Sequence, residues 1–329
     1  MSVLIITRSD DNESVGFVED AIRERGGRSF RFETDLFPTE VRMVARYGAG
    51  GAERLTLSSE EGELDLGEVS AVWHRRINVA GRMPREMDPQ LRFASVGESR
   101  AAAMGLLASL KVFRVDEEQR IRRAEHKPLQ LRVAHEVGLQ VPRTLVTNDP
   151  AAVRDFARAC GARGMVTKML SSFAVYDERG REQVVFTNRV REEDLEDLEG
   201  LSLCPMTFQE SVPKRLELRA TVVGGQVFTA SIDSGARARA ADDWRREGAA
   251  FIEEWEHYRL PTEVEGRLLR LAGEFGLNYG AADFILTPDG RHVFLEINPA
   301  GEFFWLEQRP GLPISAALAD VLLGRATRR

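Results

Sequence analysis

Cysteine is scarce in this chain: there are two among 329 residues, Cys160 and Cys204, and their spacing suits no metal. That excludes a disulfide framework and a thiolate metal site, and it points to a reducing, cytoplasmic compartment. No apolar run reaches the roughly 18 residues a membrane span needs. The apolar start, Ser2-Val3-Leu4-Ile5-Ile6-Thr7, is short and has no basic leader, so it reads as a first strand and not as a signal peptide. Excess positive charge is lacking as well. With 45 Lys+Arg against 52 Asp+Glu the formal net charge is −7, which disfavours a nucleic-acid partner. Scarcest among the cations is lysine. Only Lys111, Lys127, Lys168 and Lys214 occur beside a large arginine complement, so a retained lysine can mark a place that needs a compact ammonium. For any one of them chance is an adequate explanation.

What remains is an ordinary globular composition, 43% hydrophobic and 29% charged, in a chain long enough for two or three domains. Residues 3–7 form a buried strand. Val15, Val18, Ala21 and Ile22 recur at helical spacing, with Ser14 as N-cap and Gly26-Gly27 as the stop. Strands near 30–32, 41–47 and 70–75 and a helix over 89–110 complete a first α/β unit. A charged stretch, 116–125, leads into a helix over 129–137. A strand at 141–147 and a helix to about 159 follow, then strands at 165–170, 173–176 and 183–187. The acidic run 191–199 is expected to be a solvated helix. Beyond Phe208 the strands lengthen. Gly224-Gly225 signals a hairpin between 216–223 and 226–232. A helix near 263–275 precedes a second hairpin, 281–286 with 292–297, and a helix at 314–323 ends the series.

The second hairpin carries the most information. With Thr287–Gly290 as a four-residue turn, Asp283 faces Phe294 and Ala281 faces Glu296. Alternation then puts Asp283, Glu296 and Asn298 on one face. The opposite face carries Phe284, Leu286, Val293, Leu295 and Ile297. Oxygen ligands without histidine or thiol suit magnesium, which keeps waters and bridges to phosphates. Asp283 alone reads as a solvated acid; Asp283 together with Leu295-Glu296-Ile297-Asn298-Pro299 reads as a metal site.

A nucleotide side is also legible. Phe208-Gln209-Glu210-Ser211-Val212 is a short strand ending in polar groups that can pair with an adenine edge, and Glu210 can accept from its amino group. Glu217 and Arg219 share one face of the next strand, Glu217 suited to ribose hydroxyls and Arg219 to phosphate or developing charge. Singly, Glu210 and Glu217 are more readily ordinary strand acids. Lys168 inside an apolar strand is either at a wet edge or aimed at an anion. Lys127 precedes a helix, whose N-terminus attracts phosphate, or is a plain surface lysine.

In this order, lysine, lysine, Gln209-Glu210, Glu217-Leu218-Arg219, Asp283, Glu296-Ile297-Asn298, the chain resembles the ATP-grasp superfamily over nearly its whole length. Within it the chain is most similar to the graspetide (microviridin-type) peptide macrocyclases, through Val72-Trp73-His74-Arg75-Arg76, the run 141–148, Glu217-Leu218-Arg219, and Ile232-Asp233-Ser234 followed by Asp243-Trp244-Arg245. His74, where an aromatic is less surprising, and Ser171-Ser172, where a glycine-rich phosphate loop is common, depart from the pattern.

The resemblance implies an α/β (α+β) ATP-grasp fold. It has an N-terminal pre-ATP-grasp domain (1–122), a central domain (123–206) with a leader-docking region around 173–199, and a C-terminal domain (207–329), with ATP between the last two. It implies that Lys127 and Lys168 contact phosphates or adenine, that Gln209, Glu210, Ser211 and Val212 hold adenine and Glu217 the ribose, and that Asp283, Glu296 and Asn298 bind two magnesium ions. The partner it implies is a ribosomal precursor peptide, leader plus core, with a homodimer and neither nucleic acid nor membrane. ATP would convert a side-chain carboxylate to an acyl phosphate, which a hydroxyl or amine of the same peptide attacks. Lys168 and Arg219 supply positive charge, Arg219 and Arg245 orient the substrate carboxylate, and Asp233 or Asp243 receives the nucleophile's proton. Two rivals stay open: a RimK-like ligase acting on free amino acids, and a non-catalytic ATP-binding regulatory protein.

Overall fold

The computed structural model describes the chain except residues 61, 171–173, 177–181, 185–186 and 235–251, and the side chains of 52, 53, 174–176 and 182–184. The first unit is a four-stranded parallel sheet in the order Arg28–Glu33, Ser2–Thr7, Val69–His74, Phe113–Val115. Val3, Leu4, Ile5 and Ile6 are all fully buried, as in a parallel strand covered on both faces. Beside it stands a three-stranded antiparallel sheet, Arg42–Gly48, Gly51–Ser59 and Gly62–Asp65. The first helix, Ser14–Glu24, buries Val15, Val18, Ala21 and Ile22 as the spacing predicts. Its start is capped differently, because Ser14 is buried inside the helix and its amide is taken by the Asn12 side chain.

A second sheet orders Asn188–Arg189, Met165–Lys168, Met206–Glu210 and Thr144–Thr147. The third, five-stranded and antiparallel, orders Glu256–His257, Gln226–Ile232, Leu216–Val223, Tyr279–Leu286 and His292–Asn298. Helices Lys127–Glu136 and Thr262–Phe275 cover this sheet through Val133, Ala134, Leu268, Leu271 and Phe275, packed on Leu218, Ala220, Phe284 and Ile297. The expected boundary at 122/123 falls in helix Glu118–Glu125 and that at 206/207 at the first residue of strand Met206–Glu210, while Lys127–Glu136 packs on the third sheet.

The first and third units share one core. Val3, Ile5 and Trp73 pack through helix Ile314–Leu322 (Leu318, Leu322) onto Val223 and Ile232. Each such fully buried aliphatic contributes about 1.5–3 kcal/mol, and together they make the junction a continuous hydrophobic body. The acidic run at 191–199 is not the expected helix; it forms only two short 3-10 turns, Glu193–Leu195 and Glu199–Ser202. The reason is local: Asp194 folds back to accept from the Arg191 amide, and no apolar stripe repays a longer helix. Among the described residues no helix is long and apolar enough to cross a membrane.

Candidate nucleotide and metal site

The metal hairpin comprises Tyr279–Leu286 and His292–Asn298. Its register differs from the expected one in two ways. The connection is one residue longer, pairing Leu286 with His292, and a bulge at Leu295 then pairs Asp283 with Glu296. A single-residue slip inverts every side chain, whereas two slips restore the original faces. Asp283 and Glu296 therefore share a face as expected, but as direct cross-strand partners and not as diagonal neighbours. The bulge corrects the core stripe: Phe294 is the buried residue, edge-on to Phe284 with ring centroids 5.5 Å apart, and Leu295 turns to the cavity.

Arg219 pairs in register with Asp283, so Arg219, Asp283 and Glu296 form a row across three strands. Arg219 Nη1 lies 2.8 Å from Asp283 Oδ1. Lys127 Nζ lies 2.9 Å from Glu296 Oε2 and donates to Met169 O. Helix Lys127–Glu136 is fixed at this place by Gln130, whose amide spans both the N–H and the C=O of Ile297. Asn298 Oδ1 accepts from Ala300 N at 2.9 Å.

Arg219, Asp283, Glu296 and Asn298 help to wall a cavity of about 330 Å³ between the second and third sheets. Lys168 and the segment Gln209, Glu210, Ser211 and Val212 form one side; Glu217, Arg219, Asp283, Glu296 and Asn298 form the other, with Ile285 and Leu295 as apolar lining. Gln209 is buried, its Nε2 donating to Thr144 Oγ1. Glu210 is engaged elsewhere than expected: its carboxylate accepts from the Arg143 amide and Nε and faces Arg163. Burial pushes that carboxyl up, but the Arg143 bonds more than offset this and hold it below the usual range. Glu217 Oε1 accepts from Lys214 Nζ at 2.6 Å and from Ser234 Oγ at 2.5 Å.

Not every expected residue converges. Asp233 is exposed and is not part of the cavity wall. Arg245 and Asp243, Ser171-Ser172, and residues 173, 177–181 and 185–186 of the expected leader-docking stretch 173–199 lie outside the described residues. Of that stretch the backbone pair Ala174–Tyr176 with Glu182–Val184 is antiparallel, as a hairpin requires.

Several wall residues escaped the sequence reading: Lys214, Glu302 and Trp305. Arg219 stacks over Trp305 at 5.9 Å from the ring centroid. The sequence holds one signal for the Glu302 turn, Gly301, where a Cβ would come within 2.6 Å of both Ala281 Cβ and Arg219 Nη2.

The donor set suits magnesium. Two carboxylates paired across the hairpin, each countered by one cation, stand with the Asn298 amide on one wall of the cavity. Among the described residues no three His, Cys, Asp or Glu side chains cluster tightly enough to hold a metal alone. Asn298 is a further oxygen donor on the same wall.

A family model described as the MvdD pre-ATP grasp domain matches residues 2–122. Macrocyclase MdnC of Microcystis aeruginosa MRC, solved bound with precursor peptide MdnA, is 48% identical at a TM-score of 0.88, over 98% of this chain and 100% of that one. The Chryseobacterium gregarium RiPP-associated ATP-grasp ligase, solved with ADP and a leader and core peptide, is 37% identical at a TM-score of 0.94, over 99% of this chain and 98% of that one. A probable alpha-L-glutamate ligase of Saccharophagus degradans is 25% identical over 217 residues, 65% of this chain and 68% of that protein.

Proposed function

The chain belongs to the ATP-grasp ligases that include the peptide macrocyclases, and from that premise we propose that it closes rings in a ribosomal precursor peptide. It is an ATP-dependent carboxylate ligase. A side-chain carboxylate of the peptide attacks the γ-phosphorus, a C–O–P linkage forms, and ADP leaves. A Thr or Ser hydroxyl, or a Lys amine, of the same peptide then attacks the acyl carbon. Phosphate departs with the electron pair of the C–O bond, and the nucleophile loses its proton. The observation that carries this reading is the row Arg219, Asp283, Glu296, with Asn298 beside it, on one wall of the cavity.

Asp283, Glu296 and Asn298 would hold magnesium, which would supply charge neutralisation on the phosphates; two ions are the number the resemblance implies. Lys127, bridging Glu296 and Met169 O, and Lys168 on the facing strand add fixed positive charge. The segment Gln209–Val212 lines the adenine side, with Glu210 anchoring it through Arg143. Glu217 takes the ribose. Arg219, Lys168, Asp233 and Arg245 keep the catalytic roles assigned from sequence. The expected three-domain division, a leader-docking region on the central unit, a homodimer and a cytoplasmic location complete the reading; its support is the resemblance and, for location, the two unpaired cysteines.

Co-expression with short Thr-, Ser-, Lys-, Asp- and Glu-rich peptides encoded beside the gene, followed by mass spectrometry, tests this. A Glu296→Ala, Asn298→Ala variant is the control. Loss of whole waters from one peptide, absent with the variant, is expected, and alkaline hydrolysis then separates ester from amide. The glutamate-ligase relative favours one alternative: a gain of one amino-acid residue would identify a ligase acting on free amino acids.

A further inference from the structure

The pair Arg75-Arg76 reaches the site from the N-terminal unit. In that sheet the chain runs from Ser2–Thr7 to one neighbour and then crosses to the other, Val69–His74. The two strands that part at this switch point open a crevice at their carboxyl ends, where α/β sheets place functional groups. Arg75 and Arg76 leave strand Val69–His74 at that crevice, their amides both bonded to Ile6 O.

The Arg75 side chain is 1% exposed. Its Nη2 donates to Glu302, whose other carboxylate oxygen is held by Arg76, and its Nε faces Asp11 at 3.5 Å. An interdomain ion pair would need no more than this. Arg75 does one thing more: its Nη1 donates to the backbone carbonyl of Ala300 at 3.0 Å. The N–H of the same residue is the group that holds Asn298 Oδ1. The rest of the turn is pinned from the other unit, by Tyr279 Oη on Gly301 O at 2.6 Å and by Arg219 Nη2 on Glu302 O at 3.3 Å.

We propose that Arg75 is a positioning residue of the ligase site, fixing across the domain junction the 298–302 turn that aims Asn298 at the metal. It acts through Ala300 and is not among the residues that line the cavity. The inference rests on the proposed metal site. Outer-shell partners of metal ligands typically contribute 10–100-fold in metal affinity, and that is the effect to measure.

Calorimetric titration of ADP, with and without Mg2+, reads it without turnover. The proteins are wild type, Arg75→Met and Arg75→Lys. In wild type Mg2+ should tighten ADP. In Arg75→Met metal-free ADP affinity should stay within about twofold while the Mg2+-dependent gain falls at least ~10-fold. Arg75→Lys should recover part of that gain. An Arg75→Met protein with the full gain overturns the proposal, as does an equal weakening of ADP with and without metal, which marks general loosening. If Arg75→Met does not fold, Arg75→Lys decides alone: a full gain overturns the proposal and a reduced gain at unchanged metal-free affinity supports it. A wild type indifferent to Mg2+ sinks the metal site itself and this inference with it; failure of Arg75→Met alone to differ sinks only the role of Arg75.

Discussion

Lysine is the residue whose rarity says most. Three of the four, Lys127, Lys168 and Lys214, stand at the cavity or on one of its carboxylates. Lys127 and Lys168 were legible because each sits at a marked place, a helix start and an apolar strand. Lys214 carries no such mark and becomes visible only when strand Leu216–Val223 carries Glu217 back beneath it. Both donors of Glu217 fall on Oε1, so in the proposed site Oε2 is the oxygen offered to the ribose. Lys214→Met should weaken ADP about tenfold, the loss of one charge-assisted bond. It should also narrow the preference for ADP over 2′-deoxy-ADP, because Glu217 loses the partner that orients it. Competitive titration of the two nucleotides measures both, and an unchanged preference would remove Lys214 from the ribose site. Asp283→Asn keeps the shape and loses the charge, so turnover of the peptide should fall by at least the ~100-fold that outer-shell losses reach; an active Asp283→Asn would displace Asp283 from the metal.

The hairpin shows how elements can be read correctly through a wrong register. Alternation identified the acidic face, and a five-residue connection plus a bulge, neither visible in composition, moved the pairing by two beyond the bulge and so restored the faces of Glu296 and Asn298. Between the turn and the bulge the faces exchanged, so Phe294 and not Val293 joins the core, and Leu295 was misplaced because a bulged residue obeys no alternation. The acidic run 191–199 failed for the opposite reason: its polarity suits several local structures, and a side-chain bond from Asp194 selected turns. The Asn298–Glu302 turn was unread because its shape depends on contacts from two other segments. Gly301→Ala tests that shape. The added methyl meets Ala281 Cβ and Arg219 Nη2 at 2.6 Å, so we expect about 1–3 kcal/mol of destabilisation from overpacking, read as a lower denaturation midpoint. Turnover should drop further than the midpoint alone explains, because Arg219 is displaced from Asp283; a variant with normal turnover would show that Arg219 tolerates the move.

At the scale of the molecule, the open question in sequence was how the units meet, because apolar patterning assigns residues to cores without saying which core. The first and third sheets share a hydrophobic body, and one buried acid stitches the same junction. Asp116 follows strand Phe113–Val115, is 2% exposed, and accepts from the amides of Asn278 and Tyr279 and from Asn278 Nδ2 at 2.8–3.0 Å. Burial raises its carboxyl from 3.8 to about 6, the amide bonds pulling it back only in part. The folded state therefore holds this proton more tightly than the unfolded chain does. Between about pH 4 and pH 6 the native protein carries more of it, so the contribution of Asp116 to stability is full below the unfolded value, declines as pH rises through that window, and is constant above about 6. Asp116→Asn removes the titration, and its NH2 leaves one backbone donor unmatched, a cost of about 1–3 kcal/mol. Urea melts of both proteins from pH 4 to 7 isolate the effect from every other carboxylate. The stability advantage of wild type over Asp116→Asn should shrink as pH rises to 6 and then hold level; an advantage that grows with pH would mean the amide bonds outweigh burial and that the junction is held by a charged carboxylate.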